Sequence, residues 1–151
     1  MKKILLLLIL IIVSSCSSND DNTTKKVDAL AAKTLQGKWT LISTTNGVDN
    51  TISTPASTKT TVLLEFSGSN FKKYTNGVLT INTTFKVLTQ SYAGESKQTI
   101  VIGGPNTITN YSIVSDVSFE AFKIKDNVLT LNMLCNKCNS SSYTRIDQSF
   151  Y

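Results

Sequence analysis

Ten apolar residues in a row, Ile4 to Val13, follow Lys2-Lys3 and stop at Ser14-Ser15-Cys16. A positive stretch, a short apolar core and small residues ahead of a cleavage point form the layout of a secretory signal peptide. The run is too short to span a bilayer, which takes about 20 residues. Behind it, Cys16 to Lys26 (CSSNDDNTTKK) holds no apolar side chain besides the cysteine. A segment that buries nothing cannot offset its ordering entropy, so 16–27 is expected to be a flexible tether. Asp28 is a preferred helix N-cap, and Ala29-Leu30-Ala31-Ala32-Lys33 favours a short helix that Gly37 ends.

From Gly37 onward the pattern changes to a period of two. Val62-Leu64-Phe66, Leu79-Ile81-Thr83-Phe85-Val87 and Leu129-Leu131-Met133 each place one face toward a core and the other toward water. The alternation predicts strands over 38–45, 60–67, 70–75, 78–89, 97–103, 108–115, 117–125, 128–134 and 142–148. Asn76-Gly77 suits a two-residue type I′ turn, and Ser67-Gly68-Ser69-Asn70 and Lys125-Asp126-Asn127 are further reversals. Consecutive hairpins with short loops make an up-and-down meander, which removes its exposed edges by closing. The expected fold is all-β: a small antiparallel up-and-down β-barrel of eight or nine strands behind a short helix.

Composition narrows the function. A chain of 151 residues is enough for one domain with a core. The formal charge of +5 falls to +3 once Lys2 and Lys3 leave with the signal peptide. Lysines are scattered, Arg145 is the single arginine, and no basic stripe exists to track nucleic acid. The chain has no histidine. A His general base, a Ser-His-Asp triad and an imidazole metal ligand are all excluded, so a non-enzyme with no cofactor and no metal is the expectation.

Val13-Ser14-Ser15-Cys16 resembles a bacterial lipobox, in which an aliphatic residue and two small ones precede a cysteine that becomes lipid-modified. The resemblance implies cleavage before Cys16, a diacylglyceryl thioether on its sulfur and an N-acyl chain such as palmitate on its nitrogen. One buried chain anchors marginally at about 0.8 kcal/mol per CH2, and two or three anchor stably. Asn19-Asp20-Asp21 resembles the acidic surface-export signal of Bacteroidetes lipoproteins, and equally fits a solvated linker. The chain thus divides into a signal peptide (1–15), a tether (16–27) and a barrel domain (28–151). Its expected place is the bacterial cell envelope, at the outer membrane and with exposure at the cell surface open, held by the lipid on Cys16 as a monomer.

Gly37-Lys38-Trp39, at the entrance to the first strand, and Tyr143-Thr144-Arg145-Ile146 near the end resemble the G-x-W motif and last strand of lipocalins, most closely the short bacterial lipocalin-like domains of lipoproteins. The likeness covers 35–148 and implies that Arg145 lies over Trp39 and closes the barrel base, a cation–π contact of about 0.5–2 kcal/mol. Gly37, Trp39 and Arg145 are then barrel-closure residues.

Chemistry beyond closure is sparse. Cys135-Asn136-Lys137-Cys138 in an exported, oxidising setting reads as a local disulfide between Cys135 and Cys138, adding about 1–2 kcal/mol for so short a loop. A thioredoxin-like role asks for a C-x-x-C at a helix N-terminus, and the setting here is a β-turn. Glu65 and Glu120 fall in predicted strands, and each faces either lumen or solvent. Gly103-Gly104-Pro105-Asn106 is a loop without a following helix to cradle phosphate. The candidate lumen residues for ligand binding are Leu41, Leu64, Phe66, Phe71, Leu79, Ile81, Phe85, Tyr111, Ile113, Leu129, Leu131 and Met133. The reading is a lipid-anchored, non-catalytic module binding a small apolar ligand or a partner. The alternatives are a surface-exposed structural or interaction module with a filled core, presenting loops such as 46–60, and a thiol oxidoreductase using the cysteine pair.

Overall fold

Helix α1 (Asp20–Leu35) leads into strand β1 (Gly37–Thr45) in the computed structural model, which describes residues 20–103, 108–109, 112–113, 118–135 and 137–146. There follow β2 (Ile52–Ser53), α2 (Pro55–Thr58), β3 (Val62–Ser67), β4 (Asn70–Thr75), β5 (Val78–Tyr92) and β6 (Glu95–Ile102). Next come β7 (Ile108–Thr109), β8 (Ser112–Ile113), β9 (Ser118–Lys125), β10 (Val128–Met133) and β11 (Ser140–Ile146). The expected signal peptide, Cys16 and Tyr111 lie outside the described residues.

Antiparallel neighbours run β1-β3-β4-β5-β6-β9-β10-β11, and β11 pairs back onto β1. This is a closed eight-stranded up-and-down barrel, with β2 as an extra strand on the upper part of β1. Of the strand expected over 108–115, the described parts do not join it: among the described residues β7 and β8 pair only with each other, and β9 is the sheet neighbour of β6. The ring closes without β7 and β8, since β6 and β9 pair from Ile102–Ser118 to Thr99–Ala121.

Turn chemistry sets the register of the hairpins. Asn76 and Gly77 have φ of 51° and 77°, and Asp126 and Asn127 have 52° and 59°, the paired left-handed values of type I′ turns. A third such turn, Ala93-Gly94 at 52° and 80°, joins β5 to β6. It extends both strands beyond the predicted 78–89 and 97–103. Alanine in that conformation costs about 1–2 kcal/mol and gives no sequence signal, and the flanking residues are polar.

Helix α1 begins at Asp20, eight residues ahead of the expected Asp28 cap, and so occupies part of the segment expected to be a tether. No glycine or proline lies between Asp20 and Leu35 to stop it, and Lys33 in the last turn suits the helix dipole. Asp28 instead sits mid-helix, where its Oδ1 accepts a 2.6 Å hydrogen bond from the Thr89 hydroxyl of β5. Ala31 and Leu35, one turn apart, bury themselves against the barrel.

The C-terminal carbonyls of α1 are what seal that end. Arg145 Nη1 donates to Gln36 O at 2.8 Å and Nη2 to Thr34 O at 2.7 Å. Trp39 Nε1 donates to the intervening Leu35 O at 2.8 Å. The guanidinium carbon lies 4.4 Å from the centre of the Trp39 ring, and the β1–β11 register sets Trp39 directly opposite Arg145. Gly37, at φ 117°, carries the chain under the guanidinium, where an added Cβ would come within 3.4 Å of Nη1. The Gln36 side chain bonds both backbone groups of Gly68 and so ties the helix end to the β3–β4 turn. Above this seal, Trp39, Leu64, Phe66, Phe71, Phe85, Ile100, Leu129 and Leu131 fill the lower lumen, with Phe66 edge-on to Phe85 at 5.0 Å.

Replacing Arg145 by Lys keeps the charge but loses the planar fork and the stack. It is expected to lower the unfolding free energy by about 1–3 kcal/mol, as measured by urea denaturation.

Candidate functional site

The lumen divides into two halves of different character. Leu64, Phe66, Phe71, Phe85, Leu129 and Leu131, all expected to face inward, are buried, whereas Leu41 and Ile81 lie at the margin of the core and stay partly accessible. Leu79 and Ile113, also expected in the lumen, are elsewhere. Leu79 is 46% exposed, because a register shift places Thr80 as an extra residue between the Lys73–Ile81 and Tyr74–Leu79 pairs. The bulge turns Leu79 onto the side of Tyr74, whose hydroxyl reaches Glu65 on the outer wall. Met133 ends β10 at the rim and is 55% exposed. Ile113 lies in β8, outside the barrel sheet.

Glu120, Lys73 and Tyr143 point into the lumen. Glu120 on β9 pairs with Ile100, fully buried, and with Met133, which sets it on the inner face. Phe122 and Ile124, two and four residues on, pack against the core from the same face. Lys73 on β4 pairs with Leu64 and Ile81, and Tyr143 on β11 with Leu41 and Leu129, so both also face inward. The two glutamates that the sequence left open are therefore separated. Glu65 stands on the outer wall between Lys38 and Lys72 of the neighbouring strands, an opposite-charge row. Glu120 stands inside.

These groups act on one another. Burial pushes the Glu120 carboxyl above its ordinary value, and the positive charge of Lys73 pulls it partly back. Burial foremost, with the negative charge of Glu120 adding to it, pushes the Tyr143 phenol up to about 12, while the nearby Ser141 hydroxyl works the other way. Among the described residues, no ion pair or hydrogen bond reaches Glu120; the ion pairs are Lys97–Glu95 and Lys125–Asp126 on the surface. A carboxylate taken from water without a direct partner is costly to the fold.

The Cys135 and Cys138 sulfurs lie at disulfide distance, with Cα atoms 5.5 Å apart, in the loop between β10 and β11. Gly47 runs against this loop, where a Cβ would collide with the backbone of Lys137 and Cys138, and its N–H bonds Asn139 Oδ1 at 3.3 Å. Beside it opens a groove of about 640 Å3, lined in part by Tyr92, Lys97, Lys123, Met133 and Lys137. It lies where β6 and β9 diverge, since their pairing stops at Thr99–Ala121.

No protein-family model matches the chain, and comparisons with curated proteins and with solved structures find no significant match.

A folded-state pKa raised above the ordinary value means that Glu120 favours the fold when protonated, and that this contribution is lost as pH rises through the raised value. Glu120→Gln is accordingly expected to raise the urea midpoint at pH 7. The gain should vanish below about pH 4, where the wild-type carboxyl is neutral in both states.

Proposed function

We propose that this chain is a lipid-anchored, cell-envelope binding module of lipocalin-like type, non-catalytic, which seats a small apolar ligand in the upper half of its barrel. The observation that carries the reading is the division of the lumen. Below, eight large side chains leave the interior filled, as a purely structural barrel requires. Above, Leu41, Val62 and Ile81 keep accessible apolar surface beside inward-facing polar groups, the mix that orients a ligand. An apolar body would lie on those three side chains.

The anchor fits the same arrangement. Cys16 precedes α1 by a few residues, and α1 docks on the sealed end of the barrel through Leu35, Trp39 and Arg145. A lipid on Cys16 would hold the barrel by its closed end and leave the other end facing away from the membrane. The envelope address, the outer membrane and the surface among its options, follows from the lipobox resemblance at 13–16.

Expression in a bacterial host with a palmitate analogue is expected to label the wild-type chain and drive it into the detergent phase, and to leave Cys16→Ala unlabelled and aqueous. A wild-type chain that stays unlabelled contradicts the anchor. Native mass spectrometry of the detergent-extracted protein is expected to show one bound small molecule per chain. A chain that is ligand-free, and that takes up no apolar fluorophore, contradicts the binding role.

A further inference from the structure

Lys73 and Glu120 stand on facing walls of one lumen. Going round the ring, β5 and β6 separate their strands on one side and β10, β11, β1 and β3 on the other. Each is set inward by two ladder partners, and the positive charge of Lys73 favours the carboxylate of Glu120, yet no ion pair forms between them among the described residues. Direct contact would be the cheapest way to bury two opposite charges, since unmet desolvation is what makes interior charges expensive. Held apart, they present a ligand with one negative and one positive seat. Accessible apolar surface from Leu41, Val62 and Ile81 lies in the same half.

Charge complementarity then selects the headgroup. A simple amine is drawn to Glu120 but repelled by Lys73, and a simple acid meets the reverse. A headgroup carrying both an ammonium and a carboxylate satisfies both walls and adds no net charge to the lumen. We propose that the upper lumen selects zwitterionic amphiphiles, with the ammonium on Glu120, the acid group on Lys73 and the apolar body against Leu41, Val62 and Ile81. The proposal rests on the ligand-binding reading above and names its ligand class. Tyr143, which faces the same space, supplies a neutral hydroxyl beside the headgroup, since its phenol stays protonated at physiological pH.

Three fluorescent probes with one dansyl tail separate the possibilities. Nε-dansyl-lysine is zwitterionic, dansylcadaverine is its cationic counterpart without the carboxylate, and Nα-acetyl-Nε-dansyl-lysine is the anionic one. The folded wild-type protein is expected to bind the zwitterion about tenfold more tightly than either of the others. Glu120→Gln is expected to erase the preference over the acetylated probe, and Lys73→Met the preference over dansylcadaverine. Each variant reports alone if the other does not fold. Equal affinity for all three, or a preference for either singly charged probe that survives both substitutions, overturns the headgroup assignment while leaving apolar binding in place. Failure of all three to bind overturns both.

Discussion

Three carbonyls at the end of α1, those of Thr34, Leu35 and Gln36, have no helical partner, and all three are met by two side chains of the barrel. Arg145 can bond the outer two while lying flat on the Trp39 ring because its guanidinium is a planar fork, which no lysine reproduces. The positive charge also sits where the helix dipole is negative. Since Trp39 and Arg145 face each other across the β1–β11 seam, the same contact that caps the helix also joins the first strand to the last. Helix capping, barrel closure and the seal of one end are a single interaction.

Sealing one end dictates where function can be. The lower lumen has to be filled, and Phe66, Phe71 and Phe85 fill it with ring centroids about 5 Å apart, the spacing at which tilted aromatic pairs attract. The proposed ligand would lie above them. There the inner wall stops being uniformly apolar and includes Lys73 and Glu120, residues that a stability-optimised core would not contain. A charge that the fold does not need is a reasonable mark of a binding surface.

Much of this was legible in the residues. Alternation located the eight barrel strands, paired left-handed residues at Asn76-Gly77 and Asp126-Asn127 fixed two turns, and G-x-W with the lone arginine pointed to closure. The misses have local physical causes. A single inserted residue at Thr80 reverses the face of Leu79, and nothing in a threonine announces a bulge. The face of Glu120 was open because its strand is apolar on both sides: Ala121 is buried toward the outside while Phe122 and Ile124 pack inside. Lysine in Phe71-Lys72-Lys73 reads as solvated by default, although Phe71 sets position 73 inward by parity. Gln36, whose amide holds the β3–β4 turn, carries no motif at all.

If helix capping and barrel closure are one interaction, the end of α1 and the β1–β11 seam open as one unit. Native-state hydrogen exchange across a series of urea concentrations measures this directly. In the wild type, the amides of residues 34 and 35 and those along the β1–β11 ladder are expected to share one opening free energy and one urea dependence. Arg145→Met is expected to let the helix amides exchange sooner and more independently of urea. Helix amides that already exchange apart from the ladder in the wild type, with no response to the substitution, would contradict it.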